Sequence, residues 1–200
     1  MTEEKTLPRA ETRIGMWLFI ASEVLLFGGL FLLYSLYRFR NPADFHAASM
    51  ELSLFDGAFN TCVLITSSLT AALAVLSLRQ DRPARARLFL LATIGLACVF
   101  LGVKAFEWAA KFEHGLYPGA LVLKSLPKGE SLYFALYFMM TGLHAFHVIV
   151  GICVLSLVSL WIKKGRTAPG RPMFLENAAL YWHLVDIIWI FLFPLFYLIT

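Results

Sequence analysis

SLYFALYFMMTGLHAFHVIVGICVLSLVSLWI, residues 131–162, runs for 32 residues without an Asp, Glu, Lys or Arg. A helix rises 1.5 Å per residue, so about 20 apolar residues cross the roughly 30 Å of hydrocarbon in a bilayer. This block is longer than the membrane is thick, and is expected to tilt or to project into water. Four further apolar blocks lie at about residues 14–37, 57–78, 88–109 and 178–199. The chain is 60% hydrophobic and 15% charged, whereas a soluble domain carries about a quarter charged residues. The fold class this predicts is all-α: a single polytopic membrane domain over residues 1–200, a helix bundle of five transmembrane helices.

The connections between blocks carry the breakers and the charges: Asn41-Pro42, Arg82-Pro83, Pro118-Gly119, Pro127 and the run from Lys163 to Pro172. The net charge of +4 does not indicate nucleic acid, because the basic residues sit in these short connections, as topology determinants do. The N-terminus, the second connection and the fourth connection hold eleven Lys and Arg: Lys5, Arg9, Arg13, Arg79, Arg82, Arg85, Arg87, Lys163, Lys164, Arg166 and Arg171. The opposite side holds five: Arg38, Arg40, Lys111, Lys124 and Lys128. The positive-inside rule then places the N-terminus in the cytoplasm and the C-terminus outside. The first thirteen residues mix both charge signs, and the block after them is too long for a signal-peptide core, so it is expected to remain as the first span.

Small residues recur every seven positions on the first span (Gly15, Ser22, Gly29) and on the third (Gly95, Gly102). Such stripes let helix backbones approach closely in lipid, and are expected to pack the spans together. The second span offers Asn60, Thr61, Thr66, Ser67, Ser68 and Thr70, which can bond backward along the helix or across to a neighbour. Cys62, Cys98 and Cys153 fall in three different blocks; they suggest no zinc site or disulfide and are expected to pack between helices. Trp17, Trp108, Tyr133, Trp161, Tyr181 and Tyr197 lie near span ends and read as interfacial belt residues.

Ionisable groups within the spans are the candidate functional residues, since a central Asp or Lys costs roughly 2.5 to 3.5 kcal/mol to insert. Glu23 lies roughly 14 Å into the first span at 1.5 Å per residue, and Asp186 lies at a similar depth in the fifth. His183 and Asp186 share a helix face, as do His144 and His147 on the fourth span. Glu23 reads either as a proton-exchanging or headgroup-binding carboxyl, or as a packing carboxyl; it is expected to face the fifth span or a lipid near Asp186 or His183. The paired histidines read as hydrogen-bonded packing groups rather than metal ligands, because a metal needs further ligands. Lys104 and Glu107, three apart, form a local ion pair, or Lys104 snorkels to the interface. On these grounds a transporter, a proton-pathway component and a scaffold subunit all remain open.

Five segments narrow this. MWLFIASEVLLFGGLF at 16–31, NTCVLITSSLT at 60–70, FLGVKAFEW at 100–108, YFMMTGLHAFHVIVG at 137–151 and YWHLVDIIWIFLF at 181–193 resemble, in order, the subunit III family of haem-copper respiratory oxidases. The resemblance covers nearly the whole chain from about residue 14 and is to the five-span bacterial form. It implies that Glu23 is the family's membrane carboxylate, Glu107 the acidic residue of its EY/EW motif, and His144, His147, His183 and Asp186 its polar positions in the last two spans. Lys104 departs from the family, many members of which carry Gln there.

The resemblance further implies a noncatalytic subunit of a proton-pumping oxidase in a bacterial plasma membrane. Haem and copper would reside in partner subunits, and this chain would carry no catalytic or metal-binding residue. It would pack directly on subunit I, alongside subunit II and other oxidase subunits, bind phospholipid between its helices, and support proton uptake and complex stability. The Ser22-Glu23 pair resembles cytochrome c oxidases more than quinol oxidases. A quinol oxidase subunit III and a nitric oxide reductase accessory protein are the alternatives, with an independent transporter as the reading from another class.

Overall fold

A computed structural model describes residues 7–165 and 173–199. Lys5, Arg166 and Arg171, three of the charges used for orientation, lie outside the described residues. The described chain is helical: α1 (Leu7–Arg40), α2 (Pro42–Ser49), α3 (Leu54–Arg79), α4 (Pro83–Glu113), α5 (Leu121–Ser125), α6 (Lys128–Lys163) and α7 (Met173–Tyr197). Five of these, α1, α3, α4, α6 and α7, are long and apolar enough to cross a membrane, as the apolar blocks predict. Each continues past its apolar block into charged flanks, because backbone hydrogen bonding does not stop where hydropathy falls. The ends follow local chemistry: Pro42 and Pro83 sit in the first turns of α2 and α4, Ser53 caps α3 through Asp56 N–H, and Gly165 follows α6 with φ +63°.

Four of the spans close a ring: α3 packs on α4 and α7, and α6 packs on α4 and α7. The buried residues explain why. On α4 they are Ala86, Leu90, Thr93, Ala97, Phe100, Lys104, Glu107 and Lys111. This spacing of alternating three and four keeps one face turned inward, as in a coiled coil. Asn60, Leu64, Ser67, Ala71 and Ala74 repeat it on α3, and Leu175, Ala178, Trp182, Val185, Trp189, Leu192 and Phe196 on α7. α1 stands outside this ring, against α6 and α7.

Packing is close at several glycines: a Cβ on Gly129 would run into the Asp44 side chain, and two others would run into aromatic rings. A Cβ on Gly151 would lie 2.7 Å from the Trp182 ring, and one on Gly57 would lie 2.7 Å from the Tyr197 ring. The small-residue stripes predicted to mediate packing do not do so. Gly15, Ser22 and Gly29 are exposed, and an added Cβ at Gly15, Gly29, Gly95 or Gly102 would meet nothing within 4 Å. The ring is instead assembled by aromatic and polar side chains large enough to bridge the helices. Cys62, Cys98 and Cys153 are exposed rather than packed between helices. Of the belt aromatics, Trp17 and Trp161 do face outward, but Tyr133, Tyr181 and Tyr197 are buried, held by hydroxyl hydrogen bonds within the chain.

Candidate functional site

The ring sorts the ionisable residues into an interior set and a set beneath α1. At one end of the interior, Lys104 and Glu107 of α4 meet Tyr137 of α6 and Tyr197 of α7. Lys104 Nζ donates to Glu107 Oε2 at 3.1 Å, Tyr137 Oη at 2.9 Å and Tyr197 Oη at 2.5 Å. Both tyrosine hydroxyls also approach Glu107 Oε1, at 2.6 and 2.7 Å. The ammonium lies 4.7 Å from the Tyr137 ring centre, and 5.2 Å from those of Trp189 and Tyr197. The local pair expected from their spacing is therefore formed, but with Lys104 only 2% exposed it does not snorkel. Charge balance and a full set of hydrogen bonds offset the desolvation that burial costs. Neither tyrosine stood out in the sequence as part of this cluster; the stripe shared by Ala97, Phe100, Lys104 and Glu107 was the available sign that the pair points inward.

The same end of α7 is held from two other helices. Pro194 lies within the last turn of the helix and supplies no N–H, and the last carbonyls of a helix have no partner within it. Tyr34 of α1 donates its hydroxyl to Leu195 O, and Tyr133 of α6 donates to Phe196 O at 2.8 Å. Lys111 likewise donates to Glu51 O, tying α4 to the loop after α2.

The next level of the interior centres on Trp189, whose indole N–H donates to Thr61 Oγ1 at 3.1 Å. The ring of His144 lies 5.1 Å from it and 5.5 Å from Phe100. His144 and Asn60 are fully buried and Asp186 is 4% exposed, yet both nitrogens of His144 and both amide atoms of Asn60 have no hydrogen-bond partner in the protein, and the Asp186 carboxyl has only the Ser68 hydroxyl beside it. Farther along, Trp182 donates to Ser67 Oγ at 3.0 Å, and Ser68 Oγ lies 2.6 Å from His183 Nδ1 on the α3–α7 seam. Thr70 and Thr93 join α3 to α4 at 2.7 Å. The hydroxyls of α3 thus bond both backward and across, as predicted: Thr61, Thr66 and Ser67 each donate to a carbonyl three or four residues earlier.

His144 and His147, paired in sequence, diverge in space. His144 points into the ring, whereas His147 turns toward α1, where its Nε2 lies 3.1 Å from Glu23 Oε2 without the directionality of a hydrogen bond. His147 Nδ1 lies 2.8 Å from Leu143 O, which fixes the imidazole, and Phe27 and Phe146 flank it. Tyr181 donates to His147 O at 3.0 Å and its ring packs near Phe19. Glu23 is expected to face the fifth span or a lipid near Asp186 or His183, and Tyr181 of that span does lie near it. The ion-pairing neighbour of Glu23 is instead His147 on α6, because α1 lies outside the ring that encloses Asp186. Similar depth along two helices did not mean adjacency around them. Among the described residues, no three His, Cys, Asp or Glu come together in a group that could hold a metal ion.

Comparison of the sequence with known proteins gives the family. A family model described as cytochrome c oxidase subunit III matches residues 4–200. Among similar proteins, a haem-copper oxidase subunit I+III of Aeropyrum pernix is 32% identical over 98% of this chain. The chain spans 24% of that fused protein's length. The cytochrome c oxidase subunit 3 of Bacillus subtilis is 31% identical over 98% of this chain and 90% of its own. A probable quinol oxidase subunit 3 of Staphylococcus aureus is 28% identical over 94% and 88%. A match over nearly the whole chain, on a bundle of five membrane-spanning helices with its polar residues turned inward, settles the assignment: this chain belongs to the haem-copper oxidase subunit III family, a membrane subunit of an oxidoreductase complex.

Proposed function

We propose that the chain is the noncatalytic subunit III of a proton-pumping cytochrome c oxidase, packed on subunit I beside subunit II and supporting proton uptake and complex stability. Haem and copper would belong to the partner subunits. The observation that carries this reading is the match over residues 4–200 together with relatives of similar length named cytochrome c oxidase subunit 3. A relative that joins subunits I and III in one chain supports direct contact with subunit I. The quinol oxidase alternative rests on the Staphylococcus aureus relatives.

Glu23, Glu107, His144, His147, His183 and Asp186 divide between two roles in this proposal. Glu107, His144, His183 and Asp186 organise the ring, and the Glu23–His147 pair beneath α1 serves lipid binding or proton supply. An apolar cavity of about 300 Å³ lies between α1, α6 and α7, bounded by Met16, Val154, Trp161, Phe174 and Tyr181. It suits a phospholipid acyl chain, since burying each methylene contributes about 0.8 kcal/mol. The proposed orientation has the N-terminus in the cytoplasm and the C-terminus outside a bacterial plasma membrane.

The test compares oxidase purified with and without this chain. With it, oxygen consumption proceeds steadily; without it, turnover begins at a similar rate and then decays faster. Activity with reduced cytochrome c, and little with quinol, identifies the donor. Identical lifetimes with and without the chain contradict the proposal.

A further inference from the structure

The interior groups around Trp189 pose a chemical question that the family assignment does not answer. Asn60, His144 and Asp186 come from α3, α6 and α7, so three walls of the ring contribute. Asp186 lies one turn before Trp189 on α7, the His144 ring is 5.1 Å from the indole, and Asn60 adjoins Thr61, which accepts the indole N–H. Lys104 Nζ is 5.2 Å from the same indole. None of the four polar atoms of Asn60 and His144 has a hydrogen-bond partner in the protein, and the Asp186 carboxyl has only the Ser68 hydroxyl beside it. Lipid cannot supply one, because the ring encloses them and hydrocarbon carries no donors or acceptors. Buried groups of this kind in native proteins are accounted for by ordered water or an ion.

The chemistry of the set chooses between these. An amide has two donors and an acceptor, an imidazole has at least one donor, and a carboxyl is principally an acceptor. A metal ion would satisfy only acceptors, whereas water gives and accepts two hydrogen bonds. We propose that ordered water molecules occupy the bundle interior around Trp189, bridging Asn60, His144 and Asp186. This hydration site is separate from the Glu23–His147 pair beneath α1. The Lys104–Glu107–Tyr137–Tyr197 cluster closes it at one end, and apolar Ala71, Leu90 and Leu155 continue the ring interior at the other.

The test uses the intact oxidase complex containing this chain. In a cryo-electron microscopy map that resolves water elsewhere in the membrane domain, the expected result is density within hydrogen-bond distance of at least two of the three side chains. Absence of density there, direct pairing of the three side chains with one another, or a peak with the short, regular coordination of a cation would each overturn the proposal. X-ray radiolytic labelling supplies a second measurement, since hydroxyl radicals form at bound water. Trp189 and His144 are expected to oxidise several-fold faster than Tyr133, which is equally buried, and an Asp186→Leu variant is expected to lose much of that excess. Labelling of Trp189 and His144 no faster than Tyr133 would overturn it.

Discussion

Breaking the cluster at Lys104 one member at a time should reveal a charge pair whose halves depend on each other. Lys104→Met removes the cation but leaves Glu107 with the hydroxyls of Tyr137 and Tyr197 at 2.6 and 2.7 Å. Removing one partner of a buried ion pair costs about 3 to 5 kcal/mol, and these surviving hydrogen bonds put Lys104→Met near the lower end. Glu107→Gln strands the ammonium among two hydroxyls and three aromatic rings with no anion, and belongs near the upper end. The double variant carries no charge into the interior. It should therefore cost about 2 to 3 kcal/mol less than the sum of the singles. The assay is unfolding of the purified chain in bicelles by SDS titration, followed through tryptophan fluorescence, which reports on Trp182 and Trp189 in the ring. Single costs that add to within about 0.5 kcal/mol would refute the reasoning, because independent sites add to that precision.

Four other outcomes follow from particular residues. Gly151→Val should destabilise the chain by about 1 to 3 kcal/mol or more in the same titration, since the first added carbon would already lie 2.7 Å from the Trp182 ring. Gly29→Ala, by contrast, should fall within about 0.5 kcal/mol of wild type, because nothing in the chain lies within 4 Å of the new methyl. Glu23→Ala should shorten the catalytic lifetime of the oxidase while leaving its initial rate within about two-fold, a difference of about 0.4 kcal/mol on the barrier; an unchanged lifetime in an oxygen-electrode trace would remove Glu23 from the proposed support of turnover. In a cysteine-free background, Gln80→Cys should react with a membrane-impermeant maleimide only from the cytoplasmic face and Glu130→Cys only from outside, and the reverse pattern would invert the proposed orientation.

The spans were legible because hydrocarbon thickness imposes a length that the sequence displays directly, and the alternation of three and four on α4 is equally plain once Ala86 to Lys111 is read as one face. What the sequence did not show is how the faces turn toward one another. Glycine at Gly15, Gly29, Gly95 and Gly102 suggested close helix contacts, yet those positions face away from the ring; the glycines that do sit under large rings are Gly57 and Gly151. Depth placed Glu23 beside Asp186, but depth is one coordinate and rotation about the bundle is another. That second coordinate puts Glu23 against His147. Tyr197 reads as an interfacial belt residue and Tyr137 as an ordinary aromatic of its span, since nothing local in either marks a lysine and a glutamate arriving from α4. The polarity of α3 was easier to interpret, because Thr61, Thr66 and Ser67 find their first partners one turn back on the same helix.

Membership of an oxidase complex is read by affinity purification of this chain from its native membrane in mild detergent, with an optical spectrum of the eluate. A haem-bearing oxidase containing subunit I is expected to come down with it and to consume oxygen. A colourless chain recovered alone, under conditions that keep other respiratory complexes intact, would contradict that membership.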